Sequence, residues 1–158
     1  MATNIDMDGR ASKMMRAFRM EYVAGVNIKA SVERIWSLMT NASDFPRWNT
    51  TIKRIEGQIE AGQRIKLVAT IAPKRVFKLN ITEFAPHQKM VWSDGNAMFR
   101  GVRTYTFSAK SNNSTGFTMS EMYSGLMLPM IAGSLPNFSP IFAQYLIDLK
   151  REAERAGE

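Results

Sequence analysis

The stretch 18-FRMEYVAGVNIKASVERIW-36 changes its period half-way along. In its first part apolar side chains recur at every second position, at Phe18, Met20, Tyr22, Ala24, Val26 and Ile28. Successive side chains of an extended chain point to opposite faces, so residues 18–30 read as a strand with one buried face. In the second part Val32, Ile35 and Trp36, continued by Met39, fall on one face of a helix. Ser31 can accept a hydrogen bond from the first-turn amides, and Glu33 suits the positive end of the helix dipole. The helix should stop near Thr40-Asn41. Residues 41–47 read as a short second turn or helix, ended at Phe45 because Pro46 steers the preceding residue out of the helical region.

Toward the C-terminus the alternation returns after Trp48. Residues 52–60, 64–70, 74–84, 89–93, 99–110 and 116–124 read as strands separated by turn residues such as Ala61-Gly62, Pro86-His87 and Asn112-Asn113. With the first strand this makes about seven, and tight sequential connections imply an antiparallel sheet. The last third changes period again: Phe138, Phe142, Tyr145, Leu149 and Ala153 form an amphipathic helical stripe, with Ser139-Pro140 placed as N-cap and first-turn proline. Pro129, Gly133 and Pro136 break or kink any helix across residues 126–137. Toward the N-terminus, residues 1–16 show neither period and are expected to be a flexible arm, with a helical turn near residues 12–18. Residues 17–158 then form one α+β domain, a curved antiparallel sheet around a long C-terminal helix.

Composition narrows the chemistry. The 158 residues are 45% hydrophobic and 22% charged, which fits one globular domain. There is no cysteine, so disulfides, thiolate metal sites and a thiol nucleophile are excluded. The only histidine, His87, sits in an Ala-Pro-His-Gln turn and is expected on an exposed loop. No cluster has metal-ligand spacing and no glycine loop could cradle a phosphate, so neither metal nor cofactor is expected. The formal charge of +7 favours anionic partners. Its Lys and Arg residues are scattered without a basic-aromatic recognition module, so a solvated surface is expected and nucleic acid is not. The apolar run at 125–133 is too short to span a bilayer, which argues against a transmembrane segment. Asp6, Asp8 and Arg10 stand where a secretory signal needs an apolar core, so the expected compartment is the cytoplasm. The oligomeric state is not legible.

The most specific local expectation concerns the last two strands. If Phe107 pairs with Phe117, then Tyr105 faces Met119 and Arg103 faces Glu121, all with the parity of the inner, apolar face. Either charge alone would be expensive to bury, so each requires the other. Such a pair can orient a ligand carboxylate, hydroxyl or carbonyl, or it can be a structural pair that only compensates itself. Val68, Phe77, Leu79, Trp92, Tyr105, Phe107, Met119 and Tyr123 are expected to line the inside from the strands. Leu128, Met130, Ile131, Leu135, Phe138 and Phe142 are expected to face them from the C-terminal segment. Trp48 either stacks on a ligand or caps the short helices. If the pocket catalyses anything, Glu121 or Tyr105 is the acid/base candidate, with Arg103 as a third polar group.

These motifs, in this order, resemble a known superfamily. The segments are 30-ASVERIW-36, 44-DFPRWN-49, 90-MVW-92, 101-GVRTYTF-107, 115-TGFT-118 and 121-EMYSG-125. Together they resemble the START-like (SRPBCC, helix-grip) superfamily, and within it the polyketide cyclase/dehydrase-like branch. The resemblance covers residues 18 to the end. It implies a helix-grip fold with an internal pocket for a hydrophobic or amphipathic small molecule. One departure is that Pro129, Pro136 and Pro140 interrupt a helix that relatives keep nearly continuous.

Three functions are compatible with this reading. The first is binding or transport of a lipid, polyketide or aromatic compound. The second is a cyclase/dehydratase-like enzyme using the same pocket. The third is a protein- or membrane-interaction module. A lone polar pair in an open pocket favours the first, several converging titratable groups the second, and a sealed interior the third.

Overall fold

The computed structural model describes residues 5–155. The first two strands, β1 (Asp8–Arg16) and β2 (Arg19–Ile28), form a hairpin and lead into helices α1 (Val32–Thr40) and α2 (Phe45–Trp48), separated by one 3₁₀ turn. Six strands follow: β3 (Ile52–Glu56), β4 (Arg64–Ala69), β5 (Phe77–Ala85), β6 (Lys89–Gly95), β7 (Arg100–Ser111) and β8 (Ser114–Ser124). A single-turn helix α3 (Leu128–Ile131), a 3₁₀ turn and the long helix α4 (Ser139–Arg155) complete the order. All strand pairs are antiparallel, and the sheet runs β1-β2-β8-β7-β6-β5-β4-β3.

The elements form for the reasons that their residues supply. Ser31 Oγ accepts from the Arg34 amide at 3.2 Å and starts α1, as its position predicts. Along β2 the alternate residues Met20, Tyr22, Ala24, Val26 and Ile28 are all buried. Phe142 and Tyr145 of α4 enter the same interior, with the Phe142 ring 5.7 Å from Tyr22 and the Tyr145 ring 6.0 Å from Tyr105. The far end of α4 is held by α1, because Arg34 donates to the carbonyls of Ala153 and Glu152, both at 2.9 Å. Those carbonyls have no partner within the helix, so the guanidinium serves as a C-cap from another element. Asp148 is fully buried and accepts from both the amide and the hydroxyl of Thr50 at 2.7 Å, tying the middle of α4 to the start of β3.

Two expectations are corrected, and one left open is resolved. Residues 8–16 are not an arm with a helical turn near residues 12–18 but strand β1, which raises the strand count from about seven to eight. Most of its side chains are exposed on both faces, so it lacks the alternation that marks a half-buried strand. Ser139 is the first residue of α4 rather than its cap; Asn137 Oδ1 accepts from the Ser139 amide at 3.1 Å. Trp48, left open between a ligand and the short helices, is the last residue of α2 and is buried against Phe45 with ring centroids 4.9 Å apart. The segment between β8 and α4 is broken as its prolines predict. No helix among the described residues is long and apolar enough to cross a membrane.

Candidate functional site

Between the inner face of the sheet and α4 lies a cavity of about 500 Å³. Leu67 and Ala69 of β4, Phe77 and Leu79 of β5, Trp92 of β6 and Met119 of β8 supply its apolar wall. Leu135, Phe138, Ile141 and Phe142 cover it from the other side. Its most exposed lining residues are Ile71 and Arg75 in the β4–β5 loop, Gly95 at the end of β6, and Pro136 before α4, and these mark the mouth.

One charged pair stands on this wall. Arg103 and Glu121 are direct cross-strand partners, in the register expected, as are Tyr105 with Met119 and Phe107 with Phe117. Arg103 Nε donates to Glu121 Oε2 at 2.5 Å, and its guanidinium lies 5.2 Å from the centre of the Phe142 ring. Burial alone works against the charged guanidinium, but the Glu121 carboxylate and three tyrosine oxygens more than offset it, so Arg103 stays protonated. Burial pushes the Glu121 carboxyl above the usual carboxylate range, with Arg103 opposing.

The pair is not alone. Asp94 also lines the cavity, and burial raises its pKa against the opposing charge of Arg75 and the Gly101 backbone. Gly101 lies between the two carboxylates: a Cβ there would stand 3.1 Å from Asp94 Oδ1 and 3.4 Å from Glu121 Oε1. Tyr123, next to Glu121 on the same face, has its hydroxyl pKa raised first by burial and then by Glu121. Tyr145 donates to the Tyr105 hydroxyl at 3.2 Å, and burial keeps both phenols neutral. Among the described residues no group of three or more His, Cys, Asp or Glu is placed to hold a metal ion. The site is therefore an apolar chamber with one polar end of two guanidiniums, two carboxyls and a phenol.

A sequence profile described as polyketide cyclase / dehydrase and lipid transport matches residues 19–154. The chain belongs to this family. No curated protein matches it. Among solved structures it is similar to the aromatase/cyclase ZhuI from Streptomyces sp. R1128, with a TM-score of 0.67 and 11% identity over 89% of this chain and 96% of that one. It is also similar to a START superfamily protein from Mycobacterium smegmatis, with a TM-score of 0.63 and 18% identity over 85% and 97% of the two chains. A third likeness is to norcoclaurine synthase from Thalictrum flavum, with a TM-score of 0.66 and 12% identity over 92% and 100%. At such identities these likenesses establish the helix-grip fold.

In this polyketide cyclase/dehydrase-family chain, ten of the residues expected at the site line the cavity: Phe77, Leu79, Trp92, Arg103, Met119, Glu121, Tyr123, Leu135, Phe138 and Phe142. Tyr105 and Phe107 are buried behind that wall, Tyr105 between Trp92 and Tyr145 and Phe107 against Trp36. Val68 is buried but turned to the other face of β4, since its neighbours Leu67 and Ala69 face the cavity. Trp48 is in the core beside α2. Leu128 is buried outside the lining, Ile131 is half-buried outside it, and Met130 is 81% exposed. One turn of helix can turn only one face inward, and in α3 Leu128 takes it. Asp94, Gly101 and Arg75 were not expected at the site. Gly101 and Asp94 share the register row of Tyr123, so the hairpin parity could have found them; nothing in the sequence marks Arg75.

Proposed function

We propose that the chain binds a hydrophobic or amphipathic small molecule in this cavity, with an oxygen-bearing end held at Arg103 and Glu121. The observation that carries the reading is a hydrogen-bonded charge pair at the polar end of a largely apolar chamber of about 500 Å³. The bond to Glu121 uses Nε, so the Nη donors can serve a ligand carboxylate, carbonyl or hydroxyl as well as the Tyr105 hydroxyl. The family's description, which includes lipid transport, supports the same class of ligand. Native mass spectrometry of the purified protein should show a co-purified small molecule. Titration of Arg103→Ala with that molecule should give an affinity about 10- to 100-fold weaker, the worth of one charge-assisted hydrogen bond. A protein that carries no small molecule and leaves fatty acids and polycyclic aromatics unbound counts against the reading.

A second reading, cyclisation or dehydration of the bound molecule, is favoured by the convergence of Asp94, Glu121 and Tyr123 on one volume. A carboxyl held above its ordinary pKa can donate its proton to a departing hydroxyl, while a second carboxylate takes the proton from the adjacent carbon; water and an alkene result. Under this reading Glu121→Gln retains ligand binding but loses turnover of a β-hydroxy ketone, followed by the absorbance of the enone.

A further inference from the structure

Exposed large apolar side chains are not spread over this molecule. Among the described residues, all of them except Met14 and Met15 on β1 and Ile147 on α4 lie in connections at one end of the sheet. Phe18 is in the β1–β2 turn, Ile71 and Val76 are in the β4–β5 loop, Met98 is in the β6–β7 loop, and Leu126 and Met130 follow β8. In an antiparallel sheet with this order these connections all emerge at one edge. Backbone bonds join three of them: the Gly125 amide donates to the Phe18 carbonyl at 3.2 Å, and the Met127 amide to the Met98 carbonyl at 2.9 Å. Gly125, with φ at 132°, permits that approach, since a Cβ there would overlap the Met98 carbonyl.

The connecting segments at this end carry charge of one sign, and the adjoining Asp94 lines the cavity. The segments 16–19, 70–76, 95–100 and 125–138 contain Arg16, Arg19, Lys74, Arg75 and Arg100 but no Asp or Glu. Arg16 pairs across strands with Arg19, Arg19 with Ser124, and Ser124 with Arg100, so three exposed guanidiniums stand in one row on the outer face. Among the described residues none of the three has a carboxylate partner. Scattered apolar residues need no explanation, but a cluster rimmed by unpaired cations does. The cavity mouth is at this same end, at Ile71, Arg75, Gly95 and Pro136. Part of the feature, Arg16 and Phe18, lies outside the segment that the family profile matches.

We propose that this end of the molecule docks on an anionic lipid bilayer, with Phe18, Met98, Leu126 and Met130 entering the headgroup–acyl boundary and Arg16, Arg19 and Arg100 contacting acidic headgroups. The complementarity is of two kinds, apolar area for the boundary and positive charge for the surface. The mouth then opens at the membrane. The inference goes beyond ligand binding and does not depend on it.

Co-sedimentation with vesicles tests it. The full-length protein binds vesicles containing phosphatidylglycerol, ignores phosphatidylcholine alone, and is released by added salt. Each basic residue at such a surface is worth about fivefold in partitioning, so Arg16→Gln/Arg19→Gln/Arg100→Gln lowers the partition coefficient about a hundredfold. The matching Arg-to-Lys variant retains binding. Leu126→Ser/Met130→Ser weakens it about tenfold or more while leaving thermal unfolding unchanged, because both side chains are exposed. Wild-type protein that ignores acidic vesicles, or binds neutral ones equally, overturns the proposal. So does a dimer in light scattering that the Ser variant dissociates, which would mean that a second copy covers this end.

Discussion

Replacing Arg103 with alanine probes the cavity wall most directly. The guanidinium donates to Glu121 at 2.5 Å, and the two side chains keep 22% and 12% of their surface. Without it, a carboxylate faces an apolar chamber with no counter-charge beside it. Breaking a buried pair from one side costs about 3–5 kcal/mol. Residual exposure into the cavity and protonation of Glu121 both relieve the penalty, so about 2 kcal/mol is expected at neutral pH. The relief has a pH signature. Burial already raises the Glu121 pKa in the folded chain, and Arg103 is the main opposing influence. In the variant the folded state therefore holds a proton that the unfolded state releases. Stability is full below the ordinary carboxylate pKa and is lost as pH climbs toward the folded-state value, with a slope of at most about 1.4 kcal/mol per pH unit for one proton. Urea unfolding followed by circular dichroism at about pH 5 and about pH 8 measures it. The gap between wild-type and variant midpoints should widen with pH, and Arg103→Ala/Glu121→Gln should close most of it at the alkaline end. A gap that is constant, or larger in acid, refutes the pairing argument.

Two further outcomes follow from named contacts. Gly101→Val places a branched side chain where even a Cβ is 3.1 Å from Asp94 Oδ1, so it should destabilise by about 1–3 kcal/mol in urea and remove any co-purified small molecule from the native mass spectrum. Asp148→Ala leaves the Thr50 amide and hydroxyl without their charged acceptor and should lower stability by about 3 kcal/mol; a loss below about 0.5 kcal/mol in the urea midpoint contradicts that role.

The pairing of β7 with β8 was legible from Arg103 to Phe107, while the expected loop at 111–115 is a tighter turn with Ser111 opposite Ser114 and a register shift after Ala109. Parity fixes which side chains share a face, and the loop between them leaves little freedom of register. The cap at Ser31 and the break before α4 were legible for similarly local reasons. What could not be read depends on where the chain is brought together rather than on its period. β1 has polar residues on both faces and becomes a strand because β2 offers it an edge. Arg75 reaches the cavity from a loop without regular structure. Val68 and Leu67 are both apolar neighbours on β4, and alternation decides between them: Ile65, Leu67 and Ala69 share a face, so Leu67 belonged in the expected lining and Val68 did not. The segment after β8 gave no period to follow, and Met130 went to solvent.

The added strand also changes how the molecule meets its own kind. Without β1, the ten residues of β2, most of them buried, would present a long edge of free amides and carbonyls, a template for fibre-like stacking between chains. β1 takes that position and is poorly suited to templating. It carries Arg10, Lys13 and Arg16, and its register slips between Asp8 and Ala11, where Gly9 adopts φ 81°. Charge and a bulge at a sheet border discourage edge-to-edge growth, so the hairpin keeps a sticky strand out of circulation.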